Sequence, residues 1–302
     1  MTPSLDLFGR TDHLVEDAKT RCHETGREPG GGGINVARNL HLLGDRVQAV
    51  FPAGGSTGDT IERMLREEGV HCRRVAVSHP TRQNLALTTT STGRMYHLVF
   101  PGTELHESEW RACESAVDQA CVTGGILVLS GSLPPGVPLD FYARIAGAAA
   151  GRSARVVLDT SGQPLEPALQ AGVYLAKLNR KELAQLGYSG DWDAETQLDM
   201  MEAIARSGAA ELLVVTQGAE GALMATADGR RFQAIPPPVK VVSHVGAGDS
   251  FVSLMVHSLM TGEPEDRALA WGVAGAAAAM GIPGNRIPDL VHIESLLPGV
   301  RR

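Results

Sequence analysis

Cysteine is scarce in this 302-residue sequence, and Cys22, Cys72, Cys113 and Cys121 show no C-x-x-C spacing. No charged-then-apolar leader opens the chain either, so a reducing, cytoplasmic setting is expected. Basic blocks are missing and the formal net charge is -7, which argues against a nucleic-acid surface. An anionic ligand would then need individually placed Lys or Arg side chains. The longest apolar stretch, 268–282, is short of the ~18 residues of a membrane span. It consists largely of Ala and Gly and is expected as a closely packed core helix. Two nucleotide fingerprints are also absent. No G-x-x-x-x-G-K-[ST] occurs, which disfavours a P-loop kinase. Counted from Gly31, the last position of G-x-G-x-x-G falls on Val36 with no clear strand before it, which disfavours a dehydrogenase.

What is present is a chain 43% hydrophobic and 20% charged, enough to bury a large core. Length alone suggests two domains at ~150 residues each, yet α/β proteins often exceed that as one unit; a single domain over 1–302 is expected. Short apolar runs at 126–129, 155–158, 173–178 and 212–215 end in Ser130, Asp159, Asn179 and Thr216, and helix-like segments follow. Uninterrupted apolar strands alternating with helices predict α/β architecture, a mostly parallel sheet covered on both faces. Ligands bind such sheets at the carboxyl edge, so the four polar strand ends should meet in one crevice. Segments 14–28 and 82–101 break the rhythm, and Ser91-Thr92-Gly93 suggests a hairpin. A small sheet there could be a water-excluding lid, an edge extension or a dimer contact.

Gly246-Ala247-Gly248-Asp249 stands at the mouth of the apolar run 251–260. Three residues with little or no side chain let helix-start amides face an anion, and a carboxylate beside them could deprotonate an attacking hydroxyl. Asp249 read alone is equally an ordinary N-cap. Asn179-Arg180-Lys181-Glu182 likewise reads as a capping box, Thr216 to Gly218 as an ST-turn, and the glycine run 30–33 as a turn before a helix starting near Ile34.

Gly30-Gly31-Gly32-Gly33-Ile34-Asn35-Val36-Ala37-Arg38 and Val245-Gly246-Ala247-Gly248-Asp249-Ser250 together resemble the two signatures of the PfkB, or ribokinase-like, carbohydrate kinases. Residues 51–58, 81–84, 130–136 and 236–240 look like the minor 6-phosphofructokinase branch of that family. The resemblance implies a ribokinase-like three-layer α/β/α sandwich with a small β-sheet lid, ATP as donor, Mg2+, and a homodimer joined through the lid. By the same resemblance Asp249 is the catalytic base, and Gly246, Ala247 and Gly248 form the anion hole. Asp6, Gly31, Gly32 and Asn35 match positions that hold sugar hydroxyls, Asn179, Thr216 and Gly218 match nucleotide contacts, and Glu182 acts through magnesium and water. Arg82 matches the residue that binds the substrate phosphate, and Lys19, in the first lid strand, lies near the reacting groups. Arg21 and Arg94 are further cations in or beside the lid.

The chain departs from that family at three points. Only Met1 and Thr2 precede Pro3 where the family has a full apolar strand, so a central strand is expected to be missing, a sheet edge uncovered and Asp6 loosened, unless the start lies upstream or another segment fills the gap. Ser243 replaces an Asp linked to a monovalent cation in many relatives, which leaves potassium dependence open, and His244, where Thr is commoner, receives no role. Three readings stand: a fructose-6-phosphate 1-kinase, a kinase for tagatose 6-phosphate or fructose 1-phosphate, and a non-enzymatic nucleotide-binding relative.

Overall fold

The structure, a computed structural model, describes residues 1–188, 190 and 193–302. Strand β1 (Ser4–Thr11) pairs antiparallel with β2 (His23–Gly30), and the glycines that follow turn the chain into helix α1 (Gly32–Leu42). Strand β3 (Gln48–Ala53), helix α2 (Gly55–Glu67) and strand β4 (His71–Ala76) form one βαβ unit with parallel strands. Strands β5 (Gln83–Thr89) and β6 (Met95–Leu98) return to the first sheet, giving the order β2-β1-β5-β6. The turn between them contains Ser91-Thr92-Gly93, and Gly93 takes the left-handed φ of 67° that such a turn requires.

After helix α3 (Glu107–Ala120) the βα rhythm sets in: β7 (Ile126–Ser130), α4 (Phe141–Ala150), β8 (Arg155–Asp159), α5 (Leu165–Gln170), β9 (Val173–Asn179), α6 (Arg180–Gln185), α7 (Ala194–Arg206) and β10 (Ala210–Thr216). Strands β7 to β10 are parallel, and β11 (Ala222–Thr226) and β12 (Arg231–Ala234) add an antiparallel margin. Helices α8 (Ala247–Met260), α9 (Glu265–Met280) and α10 (Leu290–Leu296) complete the chain.

Two apolar clusters sandwich the six-stranded sheet. Trp110, Phe141, Ile145 and Met201 of α3, α4 and α7 meet Leu158 and Leu213 on one face, and Phe251, Leu254 and Leu269 of α8 and α9 meet Leu175, Val214 and Met224 on the other. Such full coverage is what uninterrupted apolar strands require. The Ala/Gly-rich stretch is helix α9; a Cβ at Gly275 would come within 2.6 Å of the Leu254 side chain, so the missing side chain is what lets α9 lie against α8.

Register aligns the polar strand ends. Ser130 pairs with Asp159, and Thr216 with Asn179, so all four stand along one carboxyl edge. Among the described residues no strand joins the large sheet ahead of β7: β7 closes the order at one end, and β3 has β4 as its sole neighbour. Met1 to Pro3 form no strand, and Ser4 already belongs to the small sheet.

Candidate active site

Helix α8 starts on Gly246, whose left-handed φ of 75° suits glycine, and a Cβ there would lie 2.9 Å from the Asn285 carbonyl oxygen. Ser250 is the residue whose amide closes the first turn, donating to the Gly246 carbonyl at 2.8 Å, so the amides of 247 to 249 have no intrahelical acceptor. Asp249 stands in that first turn but does not cap it. Its Oδ2 accepts from Asn35 Nδ2 at 2.7 Å, across 214 positions of sequence. The capping reading of Asp249 therefore fails.

Asn35 is brought there by α1, which begins one residue after Gly31, itself at φ 102°. Asn35 is buried and, among the described residues, its Oδ1 has no hydrogen-bond partner. A buried acceptor left open beside a carboxylate is suited to a ligand hydroxyl. Gly32 permits this approach: a Cβ on it would sit 2.2 Å from Ser130 Oγ and 3.2 Å from Asp249 Oδ1. Gly32→Ala is expected to lower kcat/KM by roughly 100-fold, because a displacement near 1 Å at a reacting centre costs about that much; wild-type kinetics in the purified variant would disprove the close approach.

Asp6, on β1, is 5% exposed and is gripped rather than loosened. Its carboxylate accepts from Ser4 Oγ at 2.7 Å, Asn84 Nδ2 at 2.9 Å and Asn285 Nδ2 at 3.3 Å. Asn285 in turn accepts from buried Arg38 at 2.7 Å and donates to the Pro29 carbonyl at 3.1 Å. The loosening expected from the short N-terminus does not occur, since side-chain bonds from three separate segments hold the carboxylate.

Lys177 was not among the residues singled out from sequence. It is 7% exposed, and its Nζ donates to Asp159 Oδ1 at 2.8 Å. Burial pulls the ammonium pKa down, but Asp159, Glu182 and Asp249 outweigh it and leave it raised. A Cβ on Gly248 would be 3.5 Å from this Nζ, so the ammonium faces the start of α8. Its signal in the sequence is a lone cation inside the apolar strand Val173–Asn179, where an unpaired lysine is seldom tolerated. Burial, with Asp159 and Asp6 assisting, pushes the Asp249 carboxyl up to about 6, against the Asn35 hydrogen bond and Lys177.

Asn179 and Glu182 do form the capping box. Asn179 Oδ1 accepts from the amides of Lys181 at 2.9 Å and Glu182 at 3.0 Å, while Glu182 Oε2 accepts from the Asn179 amide at 2.7 Å. Burial raises the Glu182 pKa, opposed by Lys177. Thr216 donates to the Leu178 carbonyl at 3.2 Å, and Gly218 opens a short 3-10 turn at φ 62°. Among the described residues no group of three or more His, Cys, Asp or Glu side chains is gathered to hold a metal ion.

Of the four candidate cations, Arg82 is the one drawn inward. Its guanidinium donates to the carbonyls of Phe100 at 2.7 Å and Thr2 at 3.2 Å, and among the described residues its buried Nε has no partner. Burial lowers its pKa, and Asp6 acts in the opposite sense. Lys19 is not on a lid strand. It is exposed on the connection between β1 and β2, in a shallow recess shared with Arg10, Arg21 and His23. The mixed polar run 12–20 has no alternation to sustain a strand, which explains the difference. Arg21 and Arg94 are likewise exposed.

The model of the pfkB family carbohydrate kinases matches residues 3–290. Over 288 residues the chain is 39% identical to "ATP-dependent 6-phosphofructokinase isozyme 2" of Escherichia coli, covering 95% of this chain and 93% of that one. It is 35% identical over 268 residues to a "1-phosphofructokinase" of Xanthomonas campestris pv. campestris, covering 86% and 82%. The crystal structure of phosphofructokinase-2 from Escherichia coli in complex with potassium superimposes with a TM-score of 0.94 at 37% identity, covering 99% of this chain and 96% of that one.

Proposed function

The chain belongs to the pfkB family of carbohydrate kinases, and from that premise we propose that it transfers the γ-phosphoryl group of ATP to the 1-hydroxyl of fructose 6-phosphate. The observation that carries this reading is Asp249, held by Asn35 at 2.7 Å among the free amides of a helix start and faced by the Lys177 ammonium. Asp249 takes the proton of the sugar hydroxyl as its oxygen attacks phosphorus. The amides of 247 to 249 and Lys177 meet the negative charge on the transferring group, and fixed donors of this kind need no reorganisation during reaction. Asn35 Oδ1 accepts from a sugar hydroxyl, Asp6 and the backbone of Gly31 and Gly32 hold the others, and Asn179, Thr216 and Gly218 line the nucleotide side.

A magnesium ion fits this residue set if it arrives with ATP, since it keeps phosphate and water oxygens and needs few protein carboxylates. Glu182 would hold it, through water, and the ion would neutralise phosphate charge. A monovalent cation has poorer prospects: Ser243 offers no carboxylate and its hydroxyl accepts from the Val245 amide at 3.1 Å, so main-chain carbonyls would have to serve.

Arg82 is the residue for the 6-phosphate, where a guanidinium offers paired donors. It would exchange the Thr2 and Phe100 carbonyls for phosphate oxygens. Arg82→Ala should raise the KM for the sugar phosphate about 10- to 100-fold with a smaller change in kcat, the equivalent of the ~1.5 to 3 kcal/mol of a charged hydrogen bond. An unchanged KM would move the phosphate site elsewhere.

The exposed apolar side chains of Tyr96 and Leu98 on β6, and of Val99 and Phe100 just after it, suit a homodimer in which the small sheet pairs with its copy. Substrate choice is tested by ADP release across fructose 6-phosphate, tagatose 6-phosphate and fructose 1-phosphate. The highest kcat/KM is expected with fructose 6-phosphate; preference for fructose 1-phosphate would support the second reading that the Xanthomonas relative suggests.

A further inference from the structure

We propose that Arg38 is a positioning residue: acting through Asn285 and the Pro29 carbonyl, it fixes the direction in which the Asp6 carboxylate meets a sugar hydroxyl. The role rests on the function proposed above for the identity of that sugar. Arg38 is 1% exposed, and the chemistry assigned to the site makes no use of its charge. It stands three residues beyond Asn35 on α1, so the two side chains leave neighbouring parts of the helix surface.

Its Nε and Nη2 donate as a fork to the Glu68 carboxylate at 2.7 and 2.9 Å, and Glu28 lies 3.6 Å from Nη1. Arg286 pairs with Glu68 at 2.8 Å, so two guanidinium groups face two carboxylates. Apolar side chains of similar volume often replace a buried ion pair without loss of stability, so net stability alone does not account for Arg38. The donors that Glu68 leaves over do. Nη1 donates to the Pro29 carbonyl at 3.0 Å and to Asn285 Oδ1 at 2.7 Å.

Arginine carries donors only, so the part of the Asn285 amide that meets it must be the oxygen. Nδ2 is thereby turned the other way, donating to Asp6 Oδ2 at 3.3 Å and to the Pro29 carbonyl at 3.1 Å. A reversed amide would set oxygen against oxygen and strand a guanidinium proton. The floor under Asp6 is held by the same Nη1: a Cβ on Gly30 would overlap Asp6 Oδ2, so the carboxylate rests on the backbone next after the carbonyl that Arg38 grips. Asp6 Oδ1 has other partners, Ser4 and Asn84. Arg38 therefore governs the Oδ2 side. Lysine could pair with Glu68, but a single ammonium cannot reproduce the planar fork that serves Glu68, Pro29 and Asn285 together.

The test compares Arg38→Lys with Met201→Ala, a core change on the opposite face of the six-stranded sheet from α8. Arg38→Lys should raise the KM for fructose 6-phosphate roughly 10- to 100-fold, the range of one hydrogen bond to a charged group. Its kcat and its KM for ATP should change much less. Met201→Ala should lower the thermal midpoint and leave the sugar KM where it was. An unchanged sugar KM in folded Arg38→Lys, or an equal rise in Met201→Ala, overturns the proposal. A second readout needs no substrate: exchange of the asparagine side-chain amide protons, followed by NMR in the free protein. Arg38→Lys should speed exchange at Asn285 and spare Asn84, whereas wild-type exchange at Asn285 overturns the proposal. A wild-type protein that binds no fructose 6-phosphate counts against the proposed function alone, and the exchange readout then decides the role of Arg38. Should Arg38→Lys fail to fold, Asn285→Asp keeps an acceptor for Arg38 but sets a carboxylate against Asp6 Oδ2. The same rise in sugar KM is expected there, and its absence overturns the proposal.

Discussion

Asp249→Asn is expected to bind both substrates and to lose turnover by about 10²- to 10⁴-fold, the usual cost of removing a positioned base. The amide can still meet Asn35 but cannot take a proton. In the wild-type protein kcat/KM should climb with pH through about 6, where burial has placed the Asp249 carboxyl. Stability should move the other way. The unfolded carboxyl titrates near 3.8 and the folded one near 6, so between those values the native state holds more protons, and the stability this confers is lost as pH rises through the window. Above it, the ionised carboxylate costs at most about 3 kcal/mol, less for its remaining contact with solvent. Asp249→Asn should therefore melt higher than wild type at pH 8, with the advantage shrinking toward pH 4. Near-wild-type turnover would remove Asp249 from the mechanism, and a melting difference independent of pH would contradict its environment.

Lys177→Ala should be the most damaging single change in both stability and rate. It strands Asp159, whose partner at 2.8 Å is gone, and leaves Glu182 and Asp249 facing it without a cation. Breaking a buried ion pair from one side costs about 3 to 5 kcal/mol. The carboxylates left behind should also hold Asp249 protonated to higher pH, shifting the rising limb of the pH–rate profile upward. The double variant Lys177→Ala/Asp159→Ala separates the two roles: removing both charges should restore much of the stability but not the turnover. Recovery of turnover in the double variant would make Lys177 a purely structural counter-ion.

Much of this site was legible because its parts sit where local chemistry leaves a mark. Gly246 to Asp249 declares a helix start with bare amides, and the apolar strands ending in Ser130, Asp159, Asn179 and Thr216 are read directly from buried parallel sheet structure. Lys177 escaped because a single cation in an apolar run has no local motif; its meaning depends on Asp159 in the neighbouring strand and Glu182 in the next helix. Lys19 went astray for the opposite reason. A charged residue in a polar stretch carries no periodicity, and family resemblance placed it on a strand that the local sequence does not form. The small sheet's first strand, Ser4–Thr11, and the pair β3–β4 were not foreseen, because short strands at a sheet margin alternate weakly and are fixed by their partners.

Asn285 comes late in the chain and matches neither signature, yet it holds the Asp6 carboxylate and packs its own carbonyl against Gly246. In the proposed reaction, the cradle for the sugar and the cradle for the phosphoryl group would thus share one keystone. On that reading the affinities for the two substrates would be linked quantities, and by thermodynamic reciprocity any tightening that the sugar confers on the nucleotide would be returned in equal measure.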